Sequence, residues 1–157
     1  MNNKKLASID QMIPLITEQI EKGGSVSFTP MGISMKPMLR HGEDRVVLSP
    51  VPEKLKKYDL PLYRRDNGKH IMHRVVRVKD TYTCMGDNQF IKEKGIRHDQ
   101  LIGVVTSFTH KGKEYSADSF GYKFYCRFWH YTRFPRRVYR FCRRAVGKLL
   151  RNIGIIK

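Results

Sequence analysis

Between Ser25 and Thr109 the chain repeats one pattern, a short apolar or alternating run closed by turn-forming residues. Ser25 to Thr29 alternates; Arg45-Val46-Val47-Leu48 ends in Ser49-Pro50-Val51-Pro52; Leu60 to Arg64 ends in Asp66-Asn67-Gly68. His70 to Val78 follows, then Thr81 to Met85 before Gly86-Asp87-Asn88, and Leu101 to Thr109 before Lys111-Gly112-Lys113. Runs this short do not make helices, and turns this frequent favour hairpin connections. The spacing predicts a mostly β protein, a small antiparallel β domain over residues 25–118. His70 to Val78 reads as one strand, with Met72, Val76 and Val78 on one face and Ile71, His73 and Val75 on the other. His70 then falls opposite His73, which argues against the two sharing a metal.

The flanks differ in kind. In residues 1–24, Leu6, Ile9, Ile13, Ile16 and Ile20 recur at helical spacing, Ser8 with Gln11 or Asp10 alone suits the cap, and Gly23-Gly24 suits the stop. Pro14 requires that helix to start close before it. One helix is too little for a DNA-reading helix-turn-helix. In residues 119–157, aromatic residues from Tyr122 to Phe134 are interleaved with Lys123, Arg127 and Arg133, and Pro135 opens a new segment. There Val138, Cys142, Val146 (or Ala145), Leu149 and Ile153 make one helical face, and arginines crowd the rest.

Charge sharpens this contrast. The chain of 157 residues has 31 Lys and Arg against 14 Asp and Glu, a net charge of +17. Eleven of those cations and no acid lie between Tyr122 and Lys157. A basic amphipathic tail with aromatic anchors suits an anionic membrane surface, here through residues 122–157, and suits packing on the β domain equally well. Nucleic acid is the less favoured partner, because the pattern is helical and lacks glycine-rich disorder. Cys84, Cys126 and Cys142 have neither pairing nor metal spacing, so no metal or cofactor is expected and a reducing compartment fits. Asp10, Gln11 and Glu18 interrupt any signal-peptide core, and no apolar run is long enough to span a bilayer. The expected location is cytoplasmic, peripheral to the inner membrane face.

One stretch carries chemistry. Met31-Gly32-Ile33-Ser34-Met35-Lys36-Pro37-Met38-Leu39 presents a serine between a permissive glycine and a φ-restricting proline. A serine needs a base to become a nucleophile. Six histidines and the lysines are the candidates, and His73 stands out because burial in an apolar strand would keep it neutral.

Taken together, Gly32 to Leu39 followed by Gly42-Glu43-Asp44-Arg45-Val46 resembles the type I signal peptidase pattern of S-M-x-P and a G-D-x-V box. Asp59 to Tyr63, His73-Arg74-Val75-Val76 and Gly86-Asp87-Asn88 resemble the next three boxes in order, and Leu101 to Val105 looks like the closing strand. The resemblance spans about residues 25 to 109. It implies the β fold of the signal-peptidase and self-cleaving-repressor superfamily, Ser34 as nucleophile and His73 as general base. Histidine rather than lysine at that place is similar to the endoplasmic-reticulum-type and archaeal enzymes. It also implies an orienting carboxylate, Glu93 by spacing or Asp87 from the box itself. The expected activity is a serine endopeptidase acting on a peptide precursor or leader near the membrane. The alternative is an inactive peptidase-fold module whose tail binds anionic lipid or RNA. The self-cleaving branch needs a DNA-binding domain that residues 1–24 do not supply.

Overall fold

Hydrophobic alternation fixes which faces meet. A computed structural model of the protein describes residues 9–152; Leu6, Ser8 and Ile153 of the expected helices lie outside them. In chain order the described elements begin with helix α1 (Ile9–Glu21), β1 (Val26–Phe28), β2 (Val46–Ser49), β3 (Pro61–Arg64) and β4 (His70–Met72). They continue through β5 (Arg74–Val78), β6 (Tyr82–Met85), β7 (Glu93–Ile96), β8 (Leu101–His110) and β9 (Lys113–Ser116). Helices α2 (Phe120–Tyr131) and α3 (Arg133–Asn152) close the described chain. The strands form two antiparallel sheets, one in the order β1-β2-β8-β3-β4 with β9 beside β8, the other in the order β5-β6-β7.

The run from His70 to Val78 is therefore two strands and not one. Leu62 pairs with Met72 in the larger sheet, whereas Arg74 pairs with Met85 in the smaller. His73 stands at the crossing. The physical reason is that the run serves two cores. Met72 packs with Leu48, Leu62, Val105 and Phe108 under α1, and Val75 packs with Leu55, Tyr63, Tyr82 and Cys84. A straight strand cannot feed both.

Pro14 lies inside α1, which runs through it, so the helix begins further ahead of Pro14 than its missing N–H would suggest. Ile16 and Ile20 are the buried ridge of this helix. At its end the Gly23 and Gly24 amides donate to the Ile20 and Gln19 carbonyls, both at 2.9 Å, with Gly23 at φ +77°. At the other end of the chain the break falls at Thr132 rather than at Pro135. Pro135 sits in the first turn of α3, where its lack of an N–H costs nothing.

Helix α2 belongs to the body of the protein. Ser119 caps it by accepting from the Tyr122 amide. Tyr122 and Cys126 are buried in the larger core, and Tyr125 is half-buried against it.

Candidate active site

The Ser34 loop is held from below by its own apolar residues. Met35, Met38 and Leu39 are buried, each contributing roughly 1.5–3 kcal/mol of burial energy. From the side, the Gly32 amide donates to His41 Nδ1 at 2.7 Å, with Gly32 at φ +117°, a conformation that favours glycine. From above, the Gly86–Asn88 turn grips it. The Asn88 amide donates to the Ser34 carbonyl at 2.8 Å, and Asn88 Nδ2 donates to the Ile33 carbonyl at 3.1 Å. Among the described residues, neither the Ser34 amide nor its hydroxyl has a hydrogen-bond partner. Both are available to a reacting group.

His73 is 2% exposed and comes within reach of the same turn. A Cβ placed on Gly86 would lie 2.7 Å from the Ser34 carbonyl oxygen and 3.1 Å from His73 Nε2. Only a residue without a side chain lets the serine loop and the imidazole approach this closely. No direct hydrogen bond joins Ser34 to His73; the Ser34 carbonyl and His73 Nε2 both border the Gly86 backbone.

The far side of the imidazole is fully engaged. His73 Nδ1 lies 2.8 Å from Glu93 Oε1, so the Nδ1 proton is donated there and Nε2 is left as the acceptor. Arg65 clamps the same carboxylate through Nε at 2.7 Å and Nη2 at 2.5 Å, and the Tyr63 hydroxyl donates to Glu93 Oε2 at 3.1 Å. Burial pushes the Glu93 carboxyl up, but the hydrogen bonds and charge of Arg65, with the His73 and Tyr63 contacts, outweigh it and hold the group ionised below its ordinary value. For His73, burial is the leading effect and lowers the imidazole below its ordinary value, against the opposing pull of Glu93. The ring is neutral at pH 7, the state a proton acceptor needs.

Asp87, the second carboxylate considered, is placed elsewhere. It forms a two-pronged pair with Arg74, Nε to Oδ1 at 2.8 Å and Nη2 to Oδ2 at 2.7 Å, with both side chains buried. The Tyr125 hydroxyl donates to Asp87 at 3.2 Å, and Trp129 Nε1 donates to its carbonyl at 2.8 Å. Arg74 also donates to the Tyr122 hydroxyl at 2.7 Å and to the Tyr58 carbonyl at 3.1 Å. This knot ties α2 to the turn that holds Ser34. Neighbouring residues thus split their work: His73 points to Glu93, and Arg74 points to Asp87.

Asp44, from the Gly42-Glu43-Asp44 box, is 1% exposed and lies away from the imidazole. It accepts from the Arg40 amide at 2.8 Å, from the Arg40 guanidinium and from the Lys111 amide at 3.1 Å, and pins the end of the Ser34 loop to the β8–β9 turn. Beside Ser34 lies a small cleft of about 90 Å³, bordered by Met31, Leu39, Ile71 and Met72 together with Arg40 and His70.

Sequence reasoning missed Arg65 and Tyr63 as partners of the site. Their signal is faint, a cation and a tyrosine at the end of a strand whose register only the sheet reveals. No protein-family model matches this chain, and no curated protein does. None of the described helices is long and apolar enough to cross a membrane.

Proposed function

We propose that the protein is a serine endopeptidase of the signal-peptidase-like type, with Ser34 as nucleophile, His73 as general base and Glu93 as the carboxylate that orients it. The observation that carries this reading is the His73 ring, buried, neutral, fixed at Nδ1 by Glu93, and turned with Nε2 toward the Gly86 edge on which the Ser34 loop packs.

A substrate carbonyl enters beside Ser34. His73 Nε2 takes the hydroxyl proton as Ser34 Oγ attacks the carbonyl carbon, and the imidazolium that forms is stabilised by Glu93. The Ser34 amide donates to the oxyanion. His73 then returns the proton to the leaving amine, the peptide C–N bond breaks, and water hydrolyses the acyl-enzyme by the same exchange. The small volume of the cleft supports a small side chain next to the scissile bond.

The test is cleavage of a diverse synthetic peptide mixture read by mass spectrometry. Wild type should yield new termini with a consistent small-residue preference, and Ser34→Ala and His73→Ala should yield none; Ser34→Ala should keep the wild-type unfolding midpoint, and His73→Ala should stay folded with a lower one. Full activity in a purified Ser34→Ala protein ends the proposal.

A further inference from the structure

Helix α3 meets the body of the protein with its arginines and leaves its apolar face in solvent. Arg136 lies over the Trp129 indole, 3.5 Å from the ring centroid, and donates to the Trp129 carbonyl. Arg140 lies over Phe90 at 5.4 Å and donates to the Asn88 carbonyl at 3.3 Å and to its side-chain oxygen. At about 100° per residue, Phe134, Val138, Phe141 and Val146 fall on the opposite arc. They are 76%, 46%, 73% and 54% exposed. Helix α2, which meets the body through other side chains, also leaves an aromatic face in solvent. Tyr122 and Cys126 face the core, while Phe120, Phe124, Phe128 and Tyr131 are 82%, 61%, 54% and 73% exposed.

We propose that the outward faces of α2 and α3 form a docking surface for an anionic lipid bilayer. Two helices that keep aromatic stripes in water need an apolar medium to receive them. The charge identifies that medium. From Phe120 to Asn152 there is no Asp or Glu, and Arg137 borders the apolar arc of α3, about 40° from Phe141 around the helix. That is the place from which an interfacial helix reaches acidic headgroups. A second copy of the chain would bring the same uncompensated positive charge against itself. Nucleic acid would require arginine and aromatic side chains on one face, for phosphate contact and base stacking together. Here the exposed apolar arc of α3 carries no arginine, and Arg136 and Arg140 are bonded to Trp129 and Asn88 of the body. Since Arg140 also holds Asn88, whose amide binds the Ser34 carbonyl, the docking helix and the candidate site share one hydrogen-bonded turn. The inference stands whether or not Ser34 is a nucleophile.

The test is cosedimentation of the full chain with phosphatidylcholine vesicles and with phosphatidylcholine–phosphatidylglycerol vesicles, alongside sedimentation velocity and a mixed-sequence single-stranded RNA. The protein should pellet with the anionic vesicles, release as salt rises, and remain in the supernatant with the neutral ones. The double variants Phe134→Ser/Phe141→Ser and Phe124→Ser/Phe128→Ser should each lower anionic-vesicle affinity by at least about tenfold. These side chains are exposed, and unchanged circular dichroism confirms that each variant is folded. Failure to bind anionic vesicles, or unchanged binding in both variants, overturns the proposal. So does a dimer, or RNA binding tighter than vesicle binding, that the same substitutions abolish.

Discussion

Gly86→Ala tests the closeness of the serine loop and the imidazole with a single methyl group. The new Cβ would stand 2.7 Å from the Ser34 carbonyl oxygen, which must retreat by about 0.7 Å to reach 3.4 Å, where ordinary contact begins. That oxygen has nowhere easy to go, because the Asn88 amide holds it at 2.8 Å. On the other side His73 Nε2, 3.1 Å away, is fixed by the Glu93 bond at Nδ1. Overpacking of this kind costs roughly 1–3 kcal/mol. Lower entropy of the unfolded chain returns about 0.4–1 kcal/mol, since Gly86 is not at a positive φ and alanine is free to adopt its backbone angles. The expected net loss is therefore only about 1–2 kcal/mol, measured as a lower urea midpoint at unchanged slope. The loss of peptide cleavage should be far larger, on the order of a hundredfold, because a displacement approaching 1 Å disturbs the near-attack geometry. Gly121→Ala is the control. No atom lies within 4 Å of its Cβ site in α2, so that variant should be at least as stable as wild type and cleave equally well. A Gly86→Ala protein that cleaves within a few-fold of wild type would refute the proposed approach of Ser34 to His73.

Three further outcomes separate the roles of the carboxylates. Glu93→Gln should lower kcat/KM by at least about a hundredfold with a small change in stability. Neutral His73 is the active form, so activity is lost as pH falls through its folded pKa; Glu93 raises that pKa, so the acid limb of the residual activity should move to lower pH. A limb that does not move counts against Glu93 as the orienting group. Asp87→Asn should move that limb less than Glu93→Gln does, since Asp87 is the weaker of the two charges that raise the His73 pKa, and should cost about 3–5 kcal/mol in urea unfolding, since Arg74 is left buried without its counter-charge. At Asp44, burial pushes the carboxyl up, but bonds from Arg40 and Lys111 hold it down at about 2, against 3.8 unfolded. Its contribution of about 2 kcal/mol is present above pH 3.8 and fades as pH falls toward 2, so urea midpoints of wild type and Asp44→Asn should converge in acid.

Much of the β framework was legible because period-2 alternation and Gly, Pro and Asn turns are local signals. Leu101 to Thr109 and Thr81 to Met85 emerge as β8 and β6 with small shifts at their ends. The break at His73 was not legible, because it depends on which core each neighbour joins, a property of pairing across the chain. Strands β7 and β9 were missed for a related reason. Glu93–Ile96 and Lys113–Ser116 are polar edge strands whose partners supply the ladder rather than their own pattern. The choice between Glu93 and Asp87 stayed open in sequence, since one lies in the box and the other shortly after it. The structure brings Glu93 to His73 and gives Asp87 to Arg74. The tail's amphipathicity was visible, but the inward turn of its arginines depends on Trp129 and Phe90 being there to receive them.

The most direct measurement of the central claim is the mass of the acyl group on the enzyme. An activated peptide ester carrying a small residue at its reacting end is mixed with the protein, quenched in acid and mapped by mass spectrometry. The account predicts the acyl mass on the peptide containing Ser34, its absence in Ser34→Ala, and much slower accumulation in His73→Ala. Acylation at another residue, or ester turnover that persists unchanged in Ser34→Ala, would contradict it.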